Sequence, residues 1–184
     1  RKDGASWNKA VNARFLALMT ALGREFDPDP NLEAVNLPET APSLAVTGPG
    51  EGVDPYDEQK YFEALKDQIR TLRQAFPTTV VIQYTNFPPK LLDALTDFEK
   101  ELGVGMGGPD VYPREDAVSD PKRGVYRLYS KLAGTVPLGA AVQSSNYRVS
   151  DKKRSRIRQG HRNPDGSPVT ILPEDEILIP VRDH

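Results

Sequence analysis

The sequence contains no cysteine, which excludes a disulfide framework, a thiol nucleophile and a thiolate metal site. Histidine is almost missing as well, with only His161 and His184, so an imidazole-rich metal centre is not expected. No apolar run approaches the roughly 20 residues that span a bilayer, and the opening "RKDGASWNK" lacks the apolar centre of a signal peptide. Strong charge of one sign is absent too. A formal net charge of -2 projects no global field for capturing nucleic acid or an anionic membrane. Nothing here calls for a metal or a cofactor, and carboxylates are the main candidates left for chemistry. The 184 residues, 38% of them hydrophobic, suit one domain of ordinary size or part of a larger one. A chain that opens on Arg1 is expected to be a piece of a longer or processed product.

Helical and extended patterns alternate along the chain. In "SWNKAVNARFLALMTALGREF" the apolar residues Trp7, Val11, Phe15, Leu18, Met19 and Leu22 recur at three- and four-residue spacings, which predicts an amphipathic helix with Ser6 as its N-cap. "DPDPN" breaks it, and "LEAVNL" reads as a short strand. A loop rich in Pro, Gly and Thr leads to "YDEQKYFEALKDQIRTLRQAF", a second helix. The β-branched run "TTVVIQYTNF" then predicts a strand of a parallel sheet covered on both faces. A helix starting near Pro89, a glycine-rich strand in "VGMGGPDVYP", a helix in "DPKRGVYRLYSKLAG" and a strand in "VPLGAAVQSSNY" complete the series. Strands are expected near residues 32–37, 79–85, 103–107 and 138–143. Four such units imply an α/β fold of helix-led β/α repeats on a parallel sheet with right-handed crossovers, either doubly wound or part of a barrel. In both arrangements ligands bind beyond the C-terminal ends of the strands.

Those ends are polar or small in every case. Asn36 and Glu39 follow the first strand, Gln83, Tyr84 and Asn86 the second, Gly107, Gly108, Asp110 and Tyr112 the third, and Gln143 and Asn146 with their serine neighbours the fourth. Amides and acids pair with hydroxyls while rings cover apolar sugar faces, so the set suits a neutral polyhydroxylated ligand. Each residue taken alone has a plainer reading. Glu39 is then a cap or a solvated charge, Asp110 a turn acid, and Tyr84 a core residue with a satisfied hydroxyl. Convergence at four strand ends is what favours a site.

The stretches "NARFLALMTALGREFDPDPNLEAVNLPETA", "FPTTVVIQYTNF", "LGVGMGGPDVYP" and "VPLGAAVQSSNY" resemble the fourth to seventh units of (β/α)8-barrel proteins of the glycoside-hydrolase type, including bacterial members, over residues 7–147. The resemblance implies a carbohydrate ligand and catalysis by paired carboxylates. In that superfamily the fourth strand ends in Asn-Glu, the Glu being the acid/base, and the seventh carries a second Glu. Here Leu37 and Pro38 separate Asn36 from Glu39, and Gln143 stands where the second Glu belongs. Glu39 as proton donor and Asp110 as base form the candidate catalytic pair, with Asn36, Gln83, Tyr84, Asn86, Tyr112, Gln143 and Asn146 as substrate-binding residues. Glu39 is expected to be buried and its pKa raised.

A barrel of this kind normally takes ~250 residues. The chain is therefore expected to form an incomplete (half) TIM-type barrel over residues 1–147, completed by further chain segments or by a second copy. Residues 148–184 are expected to form a basic extended arm or β-hairpin. The alternative functions are a non-catalytic carbohydrate-binding or degenerate barrel module, and anion or nucleic-acid binding through the basic residues of 148–162. A solvated arm or an oligomer contact is the favoured account of that basic cluster, which leaves nucleic acid the disfavoured partner.

Overall fold

The computed structural model describes residues 5–42, 55–108, 122 and 124–141. Its elements run α1 (Lys9–Phe26), β1 (Ala34–Leu37), α2 (Glu58–Ala75), β2 (Val80–Tyr84), a 3-10 turn (Pro89–Leu91) leading into α3 (Leu92–Glu101), β3 (Gly105–Gly108), a second 3-10 turn (Val125–Leu128) leading into α4 (Tyr129–Leu132), and β4 (Leu138–Ala140). The chain is an α/β protein with a four-stranded parallel sheet in the order β1-β2-β3-β4. Among the described residues no strand is inserted out of sequence. Residues 148–184, assigned above to an arm, lie outside the described residues.

The first helix begins two residues later than its apolar spacing predicts. Asn8, not Ser6, is the N-cap, and its side chain accepts hydrogen bonds from the amides of Ala10 at 3.0 Å and Val11 at 3.1 Å. Asn caps as well as Ser does. Ending the helix there leaves Trp7 free to pack edge-on against Tyr56 and Tyr61, at ring-centroid distances of 5.2 and 5.8 Å. The third predicted helix also starts differently, because Pro89 opens a 3-10 turn and α3 proper begins at Leu92. The fourth is reduced, over the described residues, to a 3-10 turn and the four residues of α4.

The core lies between the helices and one face of the sheet. Leu37 and Val81 from that face join Tyr61, Phe62, Leu65, Ile69 and Leu72 of α2 and Leu95 of α3. Met106 joins Leu92, Val125, Tyr126, Leu128 and Leu132. Two contacts fix α1 on α2. Gln68 donates to the Asn12 side chain at 2.8 Å in a buried pair, and a Cβ on Gly23 would stand 2.3 Å from the Ala75 carbonyl oxygen. Gly23 thus marks the closest approach of the two helices. At the end of α1 the Asp27 carboxylate accepts the Thr78 and Thr79 amides and the Thr78 hydroxyl, tying the helix to the entry of β2.

The expectation of a sheet covered on both faces is not met among the described residues. Strand residues alternate between faces, and on the face away from the core Val80 is 38% exposed while Ile82 and Tyr84 are half-buried. Neighbouring side chains supply what cover there is. Tyr84 lies across β3 so closely that a Cβ on Gly107 would stand 2.0 Å from its ring, and Ile82 sits over Gly105. The unbroken apolar run of β2 serves this lateral packing over a glycine strand.

Gly23→Ala should force α1 and α2 apart and lower stability by about 1–3 kcal/mol, read as a reduced midpoint in denaturant unfolding. An unchanged midpoint would show that the helices have slack at this crossing.

Candidate functional site

The ends of β1 and β2 are joined beyond their last paired residues. The Thr40 amide donates to the Tyr84 carbonyl at 3.0 Å, and the Thr85 amide donates to the Gly107 carbonyl at 2.9 Å. Thr40 is 1% exposed. Its hydroxyl accepts the amides of Asn86 at 3.0 Å and Phe87 at 2.8 Å, and donates to Asn86 Oδ1 at 3.2 Å. Tyr61 of α2 donates its hydroxyl to the Thr40 carbonyl at 2.7 Å. Burial pushes the Tyr61 phenol well above its usual value, with Tyr56 and the Glu39 charge adding to the shift, so this donor stays protonated. The rings of Trp7, Tyr56, Tyr61 and Phe87 pack together behind the seam.

On this frame two polar pairs bridge β1 and β2. The Asn86 side-chain amide donates to Glu39 Oε2 at 3.0 Å, and the Asn36 amide donates to the Tyr84 hydroxyl at 3.3 Å. Asn36, Glu39, Tyr84 and Asn86 are therefore brought together at one edge of the rim. Asn36 and Glu39 are exposed, and Tyr84 and Asn86 half-buried. The expected burial of Glu39 is not found, because its carboxylate reaches outward to Asn86 from the turn after Pro38.

Gln83 does not join them. It lies on the core face, 1% exposed, and its amide donates to the carbonyls of Pro38 at 2.6 Å and Tyr84 at 3.1 Å. Strand alternation puts Gln83 on the face opposite Tyr84, so it braces the strand ends from behind. Asp110, Tyr112, Gln143 and Asn146 lie outside the described residues. The rim at β3 and β4 is described only through Gly108 and Ala141, where the Ala141 amide donates to the Gly108 carbonyl at 2.9 Å.

The acid that is buried is Glu99, in the last turn of α3. It is 0% exposed, and its Oε1 accepts the Thr85 hydroxyl at 2.5 Å while Oε2 is buried without a partner. Burial pushes its pKa up to about 8, against a smaller lowering by the Thr85 hydrogen bond. A signal for it exists in the sequence, since Leu92, Leu95, Thr96 and Glu99 follow the helical i, i+3, i+4, i+7 pattern and put the acid on the buried stripe. Thr40 and Thr85 carry no such signal, and although Tyr61 lies on the apolar stripe of its helix, its bond to Thr40 arises from contact between distant segments.

Among the described residues no three His, Cys, Asp or Glu side chains group as metal ligands, and no helix is long and apolar enough to cross a membrane. Comparison with protein-family models, with curated proteins and with solved structures found no match to the chain.

Two outcomes test this geometry. Thr40→Val leaves the Asn86 and Phe87 amides without their acceptor and should cost about 1–3 kcal/mol, read by chemical denaturation, with the largest amide shifts at residues 86 and 87. The Glu99 carboxyl is neutral in folded and unfolded chains below its usual 4.5. Between 4.5 and about 8 the unfolded chain ionises first, so stability should fall across that window by no more than about 1.4 kcal/mol per pH unit. In Glu99→Gln that slope should disappear; the same slope in the variant would assign it to other groups.

Proposed function

We propose that the chain is part of a (β/α)8-barrel protein of the glycoside-hydrolase type and that the C-terminal ends of its strands take a carbohydrate. The observation that carries this reading is the hydrogen-bonded set Asn36, Glu39, Tyr84 and Asn86 at adjoining strand ends. These groups offer amide donors, carboxylate and carbonyl acceptors and an aromatic ring within one patch, the chemistry that sugar hydroxyls and ring faces require. The unreversed strand order supports a barrel wall, in which each strand pairs with the next. β1 and β4 are the edges of the described sheet, so the remaining strands of the barrel would come from further segments of a longer protein or from a second copy of the chain.

In this reading Glu39 donates a proton to the leaving oxygen and Asp110 activates water from the opposite side of the sugar. An inverting reaction places two such carboxyl groups roughly 6.5–9.5 Å apart. Asn86 orients the Glu39 carboxylate through its 3.0 Å hydrogen bond, and Asn36 with Tyr84 binds a neighbouring hydroxyl. A second reading, a barrel module that binds carbohydrate without cleaving it, is favoured by the exposure of Glu39, which leaves the carboxyl group without the enclosed surroundings of a catalytic acid.

One variant separates the two. In a hydrolase, Glu39→Gln should lower kcat by roughly 10²–10⁴-fold while leaving glycan affinity within a few fold. In a binding module the parent protein shows affinity without turnover, and Asn36→Ala with Asn86→Ala weakens it. A glycan array and a panel of aryl glycosides that give neither binding nor turnover would sink both readings.

A further inference from the structure

Glu99 touches none of the rim residues directly, yet it holds the residue on which they depend. Thr85 follows β2 and immediately precedes Asn86 and Phe87, whose amides are capped by Thr40. The Thr85 hydroxyl ends on Glu99 Oε1 at 2.5 Å. The turn at residues 85–87 is thus pinned on one side by Thr40 and on the other by a carboxyl group sealed from solvent.

Among the described residues no charge accompanies that carboxyl group. β2 and β3 contain no charged residue. On α2, Lys66 pairs with Glu63 and Arg70 with Asp67, and both cations lie over the Phe98 ring. From the second 3-10 turn and α4, Arg127 pairs with Asp93 and Lys131 with Asp97. Lys90 in the first 3-10 turn, and Lys100 and Glu101 on α3 itself, are exposed. The protonation of Glu99 is set by burial and by the Thr85 hydroxyl, with no charged neighbour contributing among the described residues.

We propose that Glu99 is a positioning residue for the strand-end patch: with its proton it holds Thr85 and the segment at residues 85–87 in place against a dry interior, and on losing the proton it draws water in through that segment, which opens and loosens the Glu39–Asn86 pair. A carboxylate has two oxygens to satisfy, and here one donor is available while Oε2 has none. An anion left so in a dry interior draws in water or donors by opening its surroundings. The end of α3 adds to the disfavour, because the last turn of a helix repels negative charge. The segment in hydrogen-bond contact with the carboxyl group is that of Thr85, so that segment is where water is admitted. That the patch serves a carbohydrate rests on the proposed function, whereas the anchoring of the turn does not.

The experiment is amide hydrogen exchange on the whole chain, corrected for intrinsic pH dependence, at residues 86 and 87 from pH 6 to 9.5. Protection should fall at least tenfold as pH passes about 8 and stay level in Glu99→Gln, which keeps the shape of the side chain without a proton to lose. Level protection in the parent chain, or an equal fall in the variant, overturns the proposal. Should Glu99→Gln not fold, Thr85→Val replaces it: with the hydroxyl that ends on Glu99 removed, protection at residues 86 and 87 should be lower than in the parent chain already at pH 6, and parent-like protection there is fatal. A Glu99-dependent fall in a protein that binds no glycan would defeat the functional reading and leave the anchor standing. Glycan binding with level protection would do the reverse.

Discussion

Backbone groups beyond the end of a parallel ladder have no strand to pair with, and at the β1–β2 seam a buried threonine satisfies several of them. Thr40 gives its amide to Tyr84, takes the Tyr61 hydroxyl on its carbonyl, and caps the Asn86 and Phe87 amides with its own hydroxyl. One residue thereby ties the end of β1 to the end of β2 and to α2. Glu39 precedes Thr40 and Asn86 is capped by it, so both polar pairs on the rim inherit their placement from this junction. An unpaired amide in such a setting costs about as much as a lost hydrogen bond, which is why the turn has little freedom to present its side chains otherwise.

The sheet divides its labour between faces. Toward the helices, Leu37, Val81 and Met106 enter the packed core, and Gln83 spends its amide on backbone carbonyls. Toward the other side, Tyr84 and Ile82 lie down over β3, which is possible only because Gly105 and Gly107 present no Cβ there. The same arrangement points the Tyr84 hydroxyl at Asn36. Glycine in β3 therefore shapes the patch without contributing a functional group to it.

Much of this was legible in the chain because it depends on period. The apolar stripe of α2, the β-branched run of β2 and the four strand positions follow from spacing alone, and they place Asn36, Glu39, Tyr84 and Asn86 at strand ends. What spacing does not encode is which face a polar residue takes. Gln83 reads as a rim amide only if its neighbours are ignored, since two-residue alternation sets it opposite Tyr84. Asn8 displaces Ser6 as the helix cap because the aromatic packing of Trp7 with Tyr56 and Tyr61, a contact across nearly fifty positions, decides where the helix starts. Tyr61 and Thr40 meet for the same kind of reason, and no local pattern foretells it.

The two acids nearest the seam illustrate how environment separates residues of one type. Glu39 stands in solvent and accepts the Asn86 amide; Glu99 lies in the interior with one hydroxyl and, among the described residues, no cation. A general acid needs a proton at working pH and also contact with the leaving atom. Glu99 is sealed from any ligand, while Glu39 is exposed at the rim. Under the proposed function, the surroundings of Glu39 would be completed by the ligand. A sugar ring laid over Glu39 and Asn86 would exclude water from the carboxyl group and supply, from the substrate, the desolvation that the described residues do not provide.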